Sequence, residues 1–315
     1  MIYHTNFDYE HQLNAIAQNK NYQKNRKMND EFSYLFLWSE CNQRKKLLSS
    51  LSFSNSYLEN LQESLKIDLQ VEILDYCPSI ESVNWWGKLE NIPLELSLNS
   101  KIWQSEFFKA KNCPSFLFGD VVDSGSYEAN VRSLFRPDYS FAGMGSFTFS
   151  GQKKIKTKGV ITKWLDKADD ISCYINNGKF NYYYNHISAQ NSFLGCTVFR
   201  DQDDFRAFII DKGISFEMVS YGFQQTWSCL KKYFPDLQSI QLDGLHTDDN
   251  QFFINELNYR KSMGQIALKL LYFFPDRPSL TFNLDRTSRL CPKNTHILLT
   301  PQNSYDYQFT TYLTF

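Results

Sequence analysis

"FFINELNYRKSMG", running from Phe252 to Gly264, decides how the chain folds. Its first half reads as a buried strand, and its second half carries Glu256, Asn258, Arg260 and Lys261 without a break. Upstream, "QSIQLDG" (Gln238 to Gly244) alternates in the same way, and "HTDDN" (His246 to Asn250) lies between the two as a polar turn. A hairpin with Asp249-Asn250 at a two-residue tip sets Asp243 opposite Glu256, Leu242 opposite Leu257 and Gln241 opposite Asn258. Side chains alternate faces along a strand. Ile240, Leu242, Phe253 and Leu257 then make a core face, and Gln241, Asp243, Glu256 and Asn258 make the other. Two carboxylates directly across a strand pair lie about 5 Å apart at Cβ and repel. A hard cation such as Mg²⁺, which takes one or two carboxylates plus substrate phosphates, removes that repulsion. A solvated outer face accounts for the same residues equally well, so both readings stand at this point.

With 315 residues the chain exceeds what one core usually holds, which predicts two or three lobes. Lys+Arg 33 against Asp+Glu 34 leaves a net charge of -1, so no global nucleic-acid footprint is expected. The local basic stretch "GQKKIKTKG" (Gly151 to Gly159) reads as an exposed strand or loop. No apolar run reaches the ~18 residues of a membrane span. The stretch "MIYHTNFDYEHQLN" has no basic segment leading into an apolar one, so neither a membrane partner nor a secretory signal is expected. Seven cysteines with no C-x-x-C pair argue against a disulfide framework and against structural zinc. They predict a reducing, cytoplasmic location with buried free thiols. No Ser/His/Asp or Cys/His constellation stands out, and His246 beside "TDD" reads as structural.

Residues 1 to 95 alternate helix-like and strand-like segments, predicting a small α/β domain without a glycine-rich phosphate loop. "YLENLQESL" (Tyr57 to Leu65) reads as helix and "KIDLQVEILDY" (Lys66 to Tyr76) as strand. Asn99 or Ser100 caps a helix running to about Lys111, and Pro114 leads into a strand, "SFLFG". A strand, a glycine-rich turn, two further strands and a hairpin at Asn177-Gly178 follow, which suggests an antiparallel sheet. From Phe216 to Phe234, apolar steps of three or four describe an amphipathic helix that Pro235 ends. A last helix, "SMGQIALKLLYF", precedes a strand-like aromatic tail.

An acid, a short hairpin and then E-x-N-x-R, here Asp243 followed by Glu256, Asn258 and Arg260, resemble the end of the nucleotide site in the ATP-grasp superfamily. The resemblance extends over roughly residues 96 to 270. It implies an α+β / α/β chain in which two α+β lobes clamp ATP. Residues 96–165 would be the small lobe with its glycine-rich flap, and 166–315 the large lobe with the metal hairpin and C-terminal tail. Residues 1–95 would be an α/β pre-ATP-grasp domain. The same resemblance makes Asp243, Glu256 and Asn258 the Mg²⁺ ligands and Lys101, in "NSKIWQSEFF", the first nucleotide lysine. "LFRPDYSFAGMGSF" resembles the strand and flap that follow, with Arg136 where the family usually has its second lysine, as in one clade of it. Ser140, Gly143, Gly145 and Ser146 would close over phosphates, the glycines allowing close backbone approach. "GVITKWLDKADDIS" resembles the adenine hinge: Lys163, Trp164 and Leu165 would line adenine, and Asp169 or Asp170 would accept from the ribose. Arg260 would meet the transferred phosphoryl group, and Lys261 and Ser262 the carboxylate substrate. The implied activity is ligation through an acyl phosphate, with ATP, a carboxylate and an amine or thiol acceptor as partners, peptides and amino acids among them. A small-molecule kinase on the same fold and a nucleotide-binding protein with a decayed site are the alternatives. The aromatic tail is the candidate surface for a homodimer.

Overall fold

Short strands that alternate with helices make a parallel sheet at the N-terminus. The computed structural model describes residues 1–77, 79–140, 143–188, 192–286, 296–301 and 305–315. Phe141 and Ala142 of the expected flap, and Cys291, lie outside the described residues. The first unit runs β1 (Ile2–His4), α1 (Tyr9–Ala17), α2 (Arg26–Glu31), α3 (Tyr34–Glu40), β2 (Lys46–Ser49), α4 (Asn55–Leu65), β3 (Glu72–Asp75) and β4 (Val83–Asn84). Its strands pair in parallel in the order β3-β2-β1-β4. The strand expected over 66–76 shrinks to β3, because Lys66 turns left-handed (φ 54) at the end of α4 and the chain must first come back to the sheet.

Two helices follow, α5 (Ile92–Asn99) and α6 (Lys101–Ala110). Ser100, whose hydroxyl accepts from the Trp103 amide, caps α6 and thereby places Lys101 at its first position. "SFLFG" is no regular strand. Phe116 makes a single bridge to Ile254, and the Ile254 amide and carbonyl bond to Ser115 and Leu117 at 2.7 Å each.

A four-stranded antiparallel sheet comes next: β5 (Asp120–Val122), β6 (Gly125–Pro137), β7 (Phe147–Ile155) and β8 (Gly159–Lys163), ordered β5-β8-β6-β7. It has its own small core of Val122, Phe135, Phe149 and Ile155. The remainder builds an eight-stranded sheet. Its elements are β9 (Lys167–Asn176), β10 (Lys179–Ile187), β11 (Phe193–Phe199), α7 (Gln202–Asp211), α8 (Phe216–Tyr233), β12 (Ser239–Thr247), β13 (Phe252–Asn258), α9 (Met263–Leu271), β14 (Ser279–Arg286), β15 (Ile297–Leu298) and β16 (Phe309–Thr314). The sheet order is β13-β12-β9-β10-β11-β14-β16-β15. Asn177 and Gly178 both take positive φ, as a two-residue turn between right-twisted strands requires.

One face of this sheet packs on α6, α7 and α8 through Phe108, Phe205, Phe223, Leu230, Leu242 and Leu257. The other face shares a core with the N-terminal elements, where Trp38 and Leu47 join Ile266, Leu270 and Phe282. β16 lies inside the sheet between β14 and β15, and Thr311 on it hydrogen-bonds Tyr34 at 2.7 Å. The aromatic tail expected as a dimer contact is therefore used within the chain. Among the described residues no helix is long and apolar enough to cross a membrane.

The hairpin of β12 and β13 pairs Gln241 with Asn258, Leu242 with Leu257 and Asp243 with Glu256, the expected register. It arrives there by another route. The tip is longer than two residues: the Thr247 amide bonds the Gln251 carbonyl at 2.9 Å, and Asn250 takes φ 57. That moves the register by one, and a bulge at Asn255, between the Gly244–Ile254 and Asp243–Glu256 pairs, moves it back. The bulge also corrects the core face. Phe252 and Ile254 are buried in the core, whereas Phe253 falls on the other side with Asn255 and Glu256.

Candidate functional site

Asp243 sits in the middle of a polar row on the sheet face opposite α8. Its Oδ1 accepts from the Ser172 hydroxyl and the Gln241 amide, each at 2.7 Å, and its Oδ2 accepts from the Asn258 amide at 2.6 Å. Asn185 donates to Ser172 at 2.7 Å, so the row extends over four strands, β13, β12, β9 and β10. Burial, followed by the Glu256 charge, pushes the Asp243 carboxyl up to about 6 despite these donors. Sequence reading missed Ser172 and Asn185. Period-two alternation puts Ser172 on the site face of β9, but only the sheet order shows that β9 is the neighbour of β12.

Two buried cations face Glu256. The Lys101 ammonium lies 3.1 Å from Glu256 Oε1 and donates to the Ser140 carbonyl at 2.7 Å. Arg136, at the end of β6, donates from Nη1 to the Asn255 carbonyl at 2.7 Å, while its buried Nε has no acceptor. Burial lowers the Arg136 guanidinium from its ordinary value, and Glu256 opposes that. Lys101, Arg136, Ser140 and Glu256 line a cleft of about 900 Å³ empty volume, open to solvent, between the small and the large sheet. Lys101, Arg136 and Glu256 thus meet although they lie far apart in sequence.

The flap and hinge residues lie at the same cleft. Gly143 and Ser146 line it, and Gly143 and Gly145 both have φ 74, which Cβ-bearing residues rarely adopt. The Ser146 amide bonds the Gly143 carbonyl at 3.0 Å, closing the turn. Lys163, Trp164 and Leu165 line the cleft as well. Trp164 is fixed by its amide to the Arg132 carbonyl at 2.9 Å, by its indole N–H to Asp166 at 3.0 Å and by the Arg132 guanidinium over its ring. Leu117, Leu134 and Leu245 complete an apolar floor that sequence reading did not assign. Of the two ribose candidates only Asp170 lines the cleft, paired to Lys167 at 2.6 Å. Asp169 lies on the other face of β9, taking the Tyr184 hydroxyl at 2.6 Å and facing His246 at 3.3 Å.

Arg260, Lys261 and Ser262 leave the end of β13 toward the N-terminal unit. The Arg260 guanidinium pairs with Glu10 of α1, bonds the Lys261 carbonyl at 2.8 Å and stacks over Trp86. Burial opposes its charge, but Glu10, then Glu256 and Asp243, hold it above its ordinary value. The Lys261 amide bonds the Trp86 carbonyl at 2.9 Å, and burial, aided by Lys269, lowers its ammonium to about 8. Ser262 caps α9, accepting from the Gln265 amide at 3.2 Å. None of the three lines the cleft that holds Lys101 and Arg136.

Donor chemistry around the acidic pair fits a hard cation. Asp243, Glu256 and Asn258 offer only oxygen and amide donors, and among the described residues no group of three or more His, Cys, Asp and Glu converges. Asp243 and Glu256 supply the one or two carboxylates that Mg²⁺ takes, its further ligands coming from water and phosphate. The buried amide oxygens of Gln241 and Asn255, next to Asp243 and Glu256 in sequence or contact, lack donors, and Arg136 Nε lacks an acceptor. Buried polar atoms are normally satisfied, so unmatched atoms of both signs fit a site built for a cation and an anion together.

No protein-family model matches the sequence, and no curated protein matches it. Solved structures do. The chain is similar to N5-carboxyaminoimidazole synthetase of Staphylococcus aureus, solved with ADP, at TM-score 0.51 and 9% identity over 89% of this chain and 90% of that one. It is similar to biotin carboxylase of Campylobacter jejuni in its β,γ-ATP complex, at TM-score 0.51 and 7% identity over 90% and 84% of the two chains. It is also similar to the biotin carboxylase domain of the 2-oxoglutarate carboxylase of Hydrogenobacter thermophilus, solved with MgADP, ADP and bicarbonate, at TM-score 0.53 and 6% identity over 91% and 84%. At such identities the likeness concerns fold.

Proposed function

Since the chain has the ATP-grasp fold, we propose that it is an ATP-dependent ligase that activates a carboxylate as an acyl phosphate for attack by an amine or thiol. The reading extends to a division near residues 95 and 165 and to a cytoplasmic location. One observation carries it. Glu256 pairs with the buried Lys101 and lies across the strand from Asp243, at the edge of a cleft that Arg136 and the glycine flap also line. A solvated outer face needs neither buried cations nor a cleft.

In this reading the adenine lies between Trp164 and the leucine floor, Asp170 serves the ribose, and Lys101 and Arg136 hold phosphates. Asp243, Glu256 and Asn258 would hold Mg²⁺, with the Asn258 amide turned so that its oxygen replaces the N–H now given to Asp243. The ion when bound neutralises phosphate charge. Positioning and charge then do most of the work. Flap amides close over the phosphates and exclude water. Arg260, now shared with Glu10, stabilises the transferred phosphoryl group, and Lys261 and the N-terminus of α9 at Ser262 hold the carboxylate.

Hydroxylamine traps acyl phosphates as hydroxamates. Incubation of the protein with Mg·ATP, hydroxylamine and a panel of amino acids and acidic peptides is expected to give hydroxamate together with ADP and phosphate. Transfer of the γ-phosphate to a hydroxyl, with no hydroxamate, would instead establish a kinase. ATP that binds without turnover would leave the nucleotide-binding protein with a decayed site, and ATP that does not bind would rule out ligase and kinase alike.

A further inference from the structure

β7 ends the small sheet, with β6 on one side and no strand on the other among the described residues. It is nine residues long, and its outer half from Ser150 to Lys154 is exposed. The segment from Phe147 to Lys163 holds five lysines and no acidic residue, in a chain whose net charge is -1. Lys158 pairs with Asp123 at 3.2 Å. Among the described residues Lys153, Lys154 and Lys156 have no carboxylate within 4.0 Å. Two exposed apolar side chains lie in neighbouring elements of this sheet, Val131 (54%) in the bulge of β6 and Met144 (41%) in the turn that leads into β7.

We propose that the free edge of β7 docks an extended acidic peptide, whose backbone adds a strand and whose carboxylates meet Lys153, Lys154 and Lys156. This rests on the ligase reading and names its substrate class: a peptide that brings its own carboxylate to the flap. Lysines on an edge strand also discourage self-pairing. That purpose does not require Lys156, which lies beyond the strand, nor the lack of any acid over the whole segment. The charge that repels a second copy of this edge selects an acidic strand. The open row of backbone N–H and C=O groups suits strand addition. The segment has no arginine, the residue that bidentate phosphate recognition favours. From Lys153 back to Ser146 at the flap is seven positions. At about 3.3 Å per residue the reacting carboxylate lies roughly 23 Å, or about seven residues, from the acidic stretch that docks.

A fluorescent peptide with consecutive glutamates at one end, titrated at low salt, measures this directly. It is expected to bind the parent, to weaken as salt rises, and to lose at least tenfold in affinity in the triple variant Lys153→Glu, Lys154→Glu, Lys156→Glu. Mg·ATP binding and the unfolding midpoint of that variant stay as in the parent, since all three side chains are exposed. N-methylation of alternate peptide amides costs a further loss. Equal binding by the triple variant overturns the proposal. So does indifference to N-methylation, or tighter binding of oligothymidylate or phosphatidylserine vesicles than of the peptide. Docking without any hydroxamate leaves the edge site standing and removes the ligase reading. Hydroxamate formation with docking unchanged in the variant does the reverse.

Discussion

Arg136→Met separates a residue kept for ligand from one kept for the fold, because the two roles predict opposite signs of stability. Arg136 is 8% exposed, makes one hydrogen bond, to the Asn255 carbonyl, and has a buried Nε with no partner. Burial pulls its guanidinium below the ordinary value, and Glu256 only partly opposes that. A buried charge so thinly matched costs the ligand-free fold more than it returns. Replacing such charges by apolar side chains of similar volume is typically neutral or stabilising, by about 1–4 kcal/mol. Methionine keeps most of the stem packing. ATP binding should move the other way. A charge-assisted hydrogen bond contributes about 1.5–3 kcal/mol, so losing one weakens binding by roughly 10- to 150-fold. Urea unfolding midpoints of the ligand-free proteins and calorimetric titration with Mg·ATP give the two numbers. The reasoning fails if the variant is less stable by more than about 2 kcal/mol and binds ATP as the parent does; Arg136 is then structural.

Other consequences are local. Burial raises the Glu40 carboxyl, but Lys269, Lys45 and the Trp85 indole outweigh it and bring it from 4.5 down to about 2. A lowered carboxylate stabilises above its unfolded value and loses that contribution as pH falls. The stability gap between parent and Glu40→Gln, roughly 3 kcal/mol at neutral pH, should therefore close from about 4.5 toward about 2. Gln104 serves both the Leu257 amide and its carbonyl at 3.0 Å. Gln104→Leu strands both and should cost about 2–4 kcal/mol, read by unfolding and by faster hydrogen exchange at Leu257. A Cβ on Gly264 would collide with the Tyr183 ring, so Gly264→Ala should lower stability by about 1–3 kcal/mol.

Much of the site was legible because hairpin pairing is local. Alternation and one turn suffice to set Asp243 against Glu256, even though the longer tip and the bulge at Asn255 were hidden and happened to cancel. The same bulge misled the reading of Phe253, since one extra residue reverses which side chains face the core. Ser100 and Lys101 were readable from capping chemistry, and Asn177-Gly178 from turn chemistry. What could not be read depends on sheet order. Ser172 and Asn185 stand beside Asp243 only because β9 lies between β12 and β10. Asp169 and Asp170 are neighbours on one strand and necessarily face opposite ways, but the chain alone does not say which way. The Glu10–Arg260 pair joins residues 250 positions apart and depends on how the N-terminal unit packs against α9.

Calorimetric titration of ATP into the parent protein and Glu256→Gln, each with and without Mg²⁺, tests the acidic pair most directly. Binding that depends on Mg²⁺ in the parent and loses that dependence in Glu256→Gln is the expected result. ATP that binds both proteins with the same Mg²⁺ dependence would contradict the metal assignment. No binding to the parent would contradict the nucleotide site itself.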